Sequence, residues 1–150
     1  MPLPDTIPMA HDDHRLDTIG THAGGQFYAA IHGARHDSVA AREDTWWYAF
    51  VHLFDATGHR VRSDITTVAQ ASYLRGELGD QARAALASLL AKLTDVRHGD
   101  IAIRPFELTH DGVTFALIDE TDADPDRGPW AELYPDRLGF GPPFDGTYST

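Results

Sequence analysis

Tyr28, His32, Tyr48, His52, Arg62 and Asp64 are the side chains of this sequence whose types and spacing could do chemistry together. They fall in three stretches that read as strands, and in each stretch they recur with a period of two. Residues two apart on a strand share a face. A sheet with these strands as neighbours would therefore gather a carboxylate, a guanidinium and an imidazole on one face. Tyr28, Trp46, Tyr48, Phe50 and Thr66 would ring them. Such a face can be a ligand pocket or an acid–base site. His52 would exchange protons near neutral pH, and a partly desolvated Asp64 would serve as the base. The same residues also have a purely structural use, as cross-strand ion pairs and a second small aromatic core beneath a covering tail.

Two further groupings imitate metal sites and fall short of them. His11-Asp12-Asp13-His14 supplies nitrogen and oxygen ligands, with His22, His32 and His36 as the nearest additions, but an extended arm is a poor support for a fixed geometry. Asp122-Ala-Asp124-Pro-Asp126-Arg127-Gly128 resembles a calcium loop, yet Arg127 stands where that loop needs glycine and Leu133 where it needs a bidentate glutamate. A solvated arm and a solvated acidic loop are the expected states, and neither a metal nor an organic cofactor is expected. Signatures of nucleophilic catalysis, a phosphate loop and a dinucleotide fingerprint are all missing from the sequence.

The elements that must position these groups are legible to different degrees. Residues 26–32 read as a strand with Phe27, Ala29 and Ile31 on one side and Tyr28, Ala30 and His32 on the other. Residues 46–54 are aromatic and apolar, and Asp55-Ala-Thr-Gly58 reads as a type I turn with glycine left-handed. That turn pairs Asp55 with His59, which predicts Leu53/Val61, Val51/Ser63, Ala49/Ile65 and Trp47/Thr67 on one face. The other face then receives His52/Arg62, Phe50/Asp64 and Tyr48/Thr66. Residues 80–93 predict a helix capped by Asp80, with Ala82, Leu86, Leu89, Leu90 and Leu93 as its apolar stripe. A second hairpin is expected over 101–108 and 113–118 around Asp111-Gly112, with Leu108 opposite Phe115, Phe106 opposite Leu117 and Arg104 opposite Asp119. An acidic loop follows at 119–127.

The expected fold is α+β, a mostly antiparallel sheet of about five strands with one main helix on one face. One domain over 1–150 accounts for the chain, with an extended arm at 1–17 and an apolar tail at 130–150 packed on as irregular structure with a short strand. The 150 residues are 42% hydrophobic, enough for one sizeable core. The 23 acidic residues against 12 basic ones give a net charge of −11, which argues against nucleic acid and anionic membranes as partners. The absence of cysteine excludes disulfides and thiolate chemistry. With no basic, apolar leader at the start, a cytoplasmic setting is the simplest expectation.

Three stretches carry a resemblance. They are Asp17-Thr-Ile-Gly-Thr-His-Ala-Gly-Gly-Gln-Phe27, Gly99-Asp-Ile-Ala-Ile-Arg-Pro-Phe106, and Ala131-Glu-Leu-Tyr-Pro-Asp-Arg-Leu-Gly-Phe140 with the ending Pro143-Phe-Asp-Gly-Thr-Tyr148. Together they resemble small actinobacterial proteins labelled formate hydrogenlyase regulatory protein HycA. The resemblance implies a cytoplasmic bacterial protein with a regulatory role, and supplies no catalytic or binding residues. The expected function is accordingly non-catalytic binding of a small molecule or a protein partner. The alternatives are a small cofactor-free enzyme (an isomerase, cyclase or hydrolase) using the His52/Asp64/Arg62 face, and an acidic immunity-type protein that blocks a basic toxin.

Overall fold

The computed structural model describes residues 2–35 and 45–150. The expected polar loop at 33–45, and the ligand candidate His36 within it, lie largely outside the described residues. The fold is α+β: a five-stranded antiparallel sheet carries one helix on one face and a second, four-stranded sheet on the other.

The strands in chain order are β1 (Ile7–Met9), β2 (Ile19–His22), β3 (Gly25–Ala34), β4 (Trp46–Phe54), β5 (Arg60–Gln70), β6 (Arg97–His98), β7 (Ile101–Ile103), β8 (Phe106–His110), β9 (Val113–Asp119), β10 (Ala131–Tyr134) and β11 (Leu138–Phe140). The helix α1 spans Glu77–Leu90 between β5 and β6. The first sheet runs β5-β4-β3-β2-β6, the second β11-β10-β9-β8, and β1 pairs with β7 as a separate ribbon. Every pairing is antiparallel.

The alternation expected of β3 is present and sets the two cores. Phe27 and Ala29 join Val51 of β4 and Leu89 of α1 in a small apolar layer, with Leu53, Leu86, Leu90 and Leu93 around it. Tyr28, Tyr48, Phe50 and Phe54 face the other way, into the larger core shared with Phe115, Leu117, Leu133 and Phe140. Aromatic rings join the sheets edge to face, Phe50 to Phe115 at 5.2 Å and Tyr48 to Phe115 at 5.6 Å between centroids.

The helix keeps the expected stripe but starts three residues earlier. Gly76, at φ 60°, breaks the chain ahead of it, and no side chain caps it. Glu77 and Asp80 both sit in the first turn, where carboxylates suit the helix dipole, and Asp80 pairs with Arg83 instead of capping. The helix ends at Leu90, with Ala91 N closing its last turn on Ala87 O at 2.9 Å, and Leu93 N donates to Leu90 O at 3.0 Å.

Four expectations are corrected by the pairing. The expected β4–β5 turn forms, with Asp55 N donating to His59 O at 2.8 Å and Gly58 at φ 94°. Phe54 then pairs with Arg60, but Leu53 pairs with Arg62, so Val61 is an extra residue, a β-bulge. It displaces every following pair by one: His52 stands opposite Ser63, Val51 opposite Asp64 and Phe50 opposite Ile65. A further irregularity between Trp47 and Tyr48 absorbs Val68.

The second hairpin keeps Leu108 opposite Phe115 and Phe106 opposite Leu117, and its turn residues Asp111 and Gly112 have φ of 51° and 75°. Its first strand, however, is broken at Arg104-Pro105. β7 leaves to pair with β1, and Arg104 Nε donates to Thr57 O at 3.2 Å, while Asp119 pairs with Ala131. Proline has no N–H for a ladder, so it marks the break.

The arm at 1–17 is not a solvated extension. Ile7, Met9 and Leu16 are fully buried, and Ile7 and Met9 alternate around Pro8 as an edge strand must. The tail contributes two strands rather than irregular chain: β10 lies between β9 and β11, and Ala131, Leu133, Leu138 and Phe140 are buried. Among the described residues no helix is long and apolar enough to cross a membrane.

Candidate functional site

The Val61 bulge decides where the six expected site residues go. Tyr28, His32, Tyr48 and His52 share the face of the sheet that meets the second sheet, in the register Tyr28 with His52 and His32 with Tyr48. Arg62 and Asp64 are on the other face, opposite Leu53 and Val51 and toward α1. They bond each other, Arg62 Nε to Asp64 Oδ1 at 3.1 Å, as a surface pair whose arginine is 60% exposed. Such a pair contributes little to stability. His52, Arg62 and Asp64 therefore do not meet, and the acid–base face expected of them is not assembled.

His52 is fully buried. Its ring stacks on Tyr28 with centroids 5.8 Å apart and lies against Phe50 at 5.1 Å and Phe106 at 5.0 Å. Nδ1 shares a hydrogen bond with Ser63 Oγ at 2.6 Å, and Nε2 is buried without a partner. Burial, helped by the charge of Arg60, pushes its pKa down to about 3. A neutral, sealed imidazole is part of the core and cannot shuttle protons to a substrate near pH 7.

Polar groups do converge one strand away. β2 pairs only with Gly25–Tyr28 of β3, and Ala29 N donates to Thr18 O at 2.9 Å where the chain leaves the sheet. Beyond that point no strand among the described residues pairs with this edge of β3. The gap is a cleft of about 230 Å³ lined by His14, Arg15, Asp17, Thr18, Ala30, Ile31, His32, Leu86 and Asp136.

The loop that presents Arg15 is fixed by Asp12. Its Oδ1 accepts from His14 N at 3.0 Å and Leu16 N at 2.8 Å, and its Oδ2 accepts from the Tyr148 hydroxyl at 2.7 Å. Burial alone would raise the Asp12 carboxyl, but these bonds outweigh it and hold the pKa below the usual carboxylate value. Leu16, fully buried, anchors the same loop in the core.

Asp136 comes from the turn between β10 and β11, where Arg137 takes φ 61° and its N donates to Leu133 O at 2.7 Å. Asp136 is 5% exposed. The Tyr28 hydroxyl donates to its Oδ2, and Arg15 Nη2 donates to its main-chain O at 2.9 Å. Asp136 Oδ1 is buried with no partner. Burial, and then the charge of Asp136, push the Tyr28 pKa well above its ordinary value, so the phenol keeps its proton and acts as a donor.

The cleft thus brings together a guanidinium with further N–H donors, the nearly buried Asp136, and His14 and His32 at its walls. His32 Nδ1 is 2.9 Å from Gly33 O. Arg15 and Asp136 were not singled out from the sequence. The only signal for Asp136 is an acid inside an apolar stretch, and nothing in the spacing says that the two ends of the chain meet across β3.

The metal-like groupings do not converge. His11 Nε2 lies 3.1 Å from Asp17 O, whereas His14 lines the cleft. In the acidic loop Asp124 Oδ1 accepts from Asp126 N at 3.1 Å, a local turn bond. Among the described residues no group of three or more His, Asp or Glu is placed to hold a metal ion. Compared with known proteins, the chain matches no family model, no curated protein and no solved structure.

Proposed function

We propose that this chain binds a small zwitterion, of the size of an α-amino acid, in the Arg15–Asp136 cleft, and acts through that binding rather than through chemistry. The observation that carries the reading is the cleft itself, in which Arg15, held by Nη2 on the Asp136 main-chain O, and the nearly buried Asp136 line one space. An ammonium group is drawn to the side of the Asp136 carboxylate, and a carboxylate on the same molecule answers the remaining Arg15 donors. The volume of about 230 Å³ suits a compact ligand. A regulatory role in a bacterial cytoplasm, as the three sequence stretches imply by resemblance, belongs to the same proposal. An enzyme reading finds less support, because the imidazole it relied on is sealed in the core.

Titration calorimetry of the whole chain against the common α-amino acids, and against the matching amines and carboxylic acids, tests this. Binding of a zwitterion that is lost in Arg15→Gln and in Asp136→Asn, with the fold retained by circular dichroism, supports it. If no amino acid binds up to about 10 mM, or if Arg15→Gln binds as well as the parent, the reading is wrong.

A further inference from the structure

A second cavity, of about 360 Å³, lies on the β5 side of the same sheet and is lined by Trp46, Tyr48, Thr67 and Asp111. Its walls follow from the register. Tyr48 stands opposite Thr67, and the irregularity at Val68 sets Trp46 opposite Gln70. Trp46 and Tyr48, two residues apart on β4, thus lie on the same face, Trp46 partly exposed and Tyr48 buried at the base. Asp111 arrives from the second sheet, on the β8–β9 turn. Thr67 Oγ1 donates to Asp111 Oδ2 at 3.4 Å, and the charge of Asp111 reaches Tyr48 closely enough to raise its pKa, after burial. His110 flanks the turn, with Nε2 3.3 Å from Asp111 Oδ2 and its ring edge-on to Tyr48.

From this we infer that the cavity is a binding site for an organic ammonium ion, with the charge on Asp111 and the alkyl groups against Trp46. An indole and a carboxylate beside one another attract an alkylated cation over a neutral molecule. Among the described residues no lysine or arginine lines the cavity. The net charge of −11 favours the approach of a cation. This site is independent of the Arg15–Asp136 cleft, which shares none of its lining residues.

Choline is the probe, titrated at pH 8. Its neutral carbon analogue, 3,3-dimethylbutan-1-ol, is the control for shape. The expected result is saturable choline binding, with the methyl protons shifted upfield by the ring current of Trp46. The neutral analogue should bind at least about tenfold more weakly. Asp111→Asn keeps a residue type that tolerates φ of 51°, and so preserves the turn while removing the charge. It should weaken choline at least about tenfold, as should Trp46→Leu, with melting temperatures recorded for both. Equal binding of the neutral analogue, unchanged affinity in folded Asp111→Asn, or no choline binding up to about 10 mM would each overturn the assignment.

Discussion

The Tyr28 hydroxyl donates to Asp136 Oδ2, and this one bond ties the middle of β3 to the turn between β10 and β11. Both groups are buried, so neither can fall back on water. Tyr28→Phe leaves the Asp136 carboxylate with neither oxygen accepting from Tyr28. The expected loss is about 1–3 kcal/mol, read as a lower denaturant midpoint with unchanged slope. Equal midpoints for Tyr28→Phe and the parent would show that the bond contributes nothing.

His52 predicts a specific acid sensitivity. Its folded pKa, about 3, lies below the ordinary imidazole value of 6.5. The unfolded chain therefore binds a proton that the folded chain refuses. Stability attributable to this group is complete above about pH 6.5 and is lost as the pH falls toward 3. The loss between pH 7 and pH 5 is about 2 kcal/mol by linkage. Asp12, Asp55 and Asp145, whose pKa values are lowered from 3.8, act only below this window. Denaturation of His52→Phe at pH 7 and pH 5 should show a much smaller difference than the parent. An identical difference would place the titrating group elsewhere.

The tail is expected to be indispensable. Ala131, Leu133, Leu138 and Phe140 are buried in a core that also holds Ile7, Met9 and Phe115, and β10 is the inner neighbour of β9. Burial of each large apolar side chain contributes about 1.5–3 kcal/mol, against a total stability of about 5–15 kcal/mol. A chain ending at residue 129 should lose cooperative thermal unfolding altogether. A milder probe is Gly139→Ala, because a Cβ there would lie 2.0 Å from Trp130 Cζ2. The indole is held by Glu132 Oε1 at 2.8 Å, so the clash is not relieved freely, and a loss of about 1–3 kcal/mol should appear in the melting curve.

How far the sequence discloses this molecule depends on the range of the interaction that decides each element. Periodicity identifies the stripe of α1, the two faces of β3 and the register of β8 with β9, because these rest on neighbouring residues and on Asp-Gly turn chemistry. The arm at 1–17 resembles a solvated extension because its partners, Ile101 and Ile103, are about ninety residues away. The Arg15–Asp136 contact spans most of the chain and leaves no local pattern. The expected site failed for a different reason. Val61 is exposed and nothing in its sequence context marks it as unpaired, and with a period of two that one extra residue transfers Arg62 and Asp64 to the opposite face.

Val61 therefore predicts a deletion that looks severe and should be mild. It is 66% exposed and is the extra residue between the pairs Phe54–Arg60 and Leu53–Arg62. Removing it joins Arg60 to Arg62 and leaves every later pair on its present face, with His52 still against Ser63. The expected change is on the order of 1 kcal/mol or less, the scale of exposed positions outside the core. Deleting Ile65, which is paired with Phe50, has no such freedom. The residues that follow it must change faces or shift the whole strand, and the inter-sheet core loses an apolar group; a loss above about 3 kcal/mol is expected. Thermal unfolding of the two deletion variants beside the parent distinguishes the registers. If β4 and β5 were paired without the bulge, removing Val61 would send Ser63 and Ile65 across to the other face. The Val61 deletion would then unfold the chain as readily as the Ile65 deletion does.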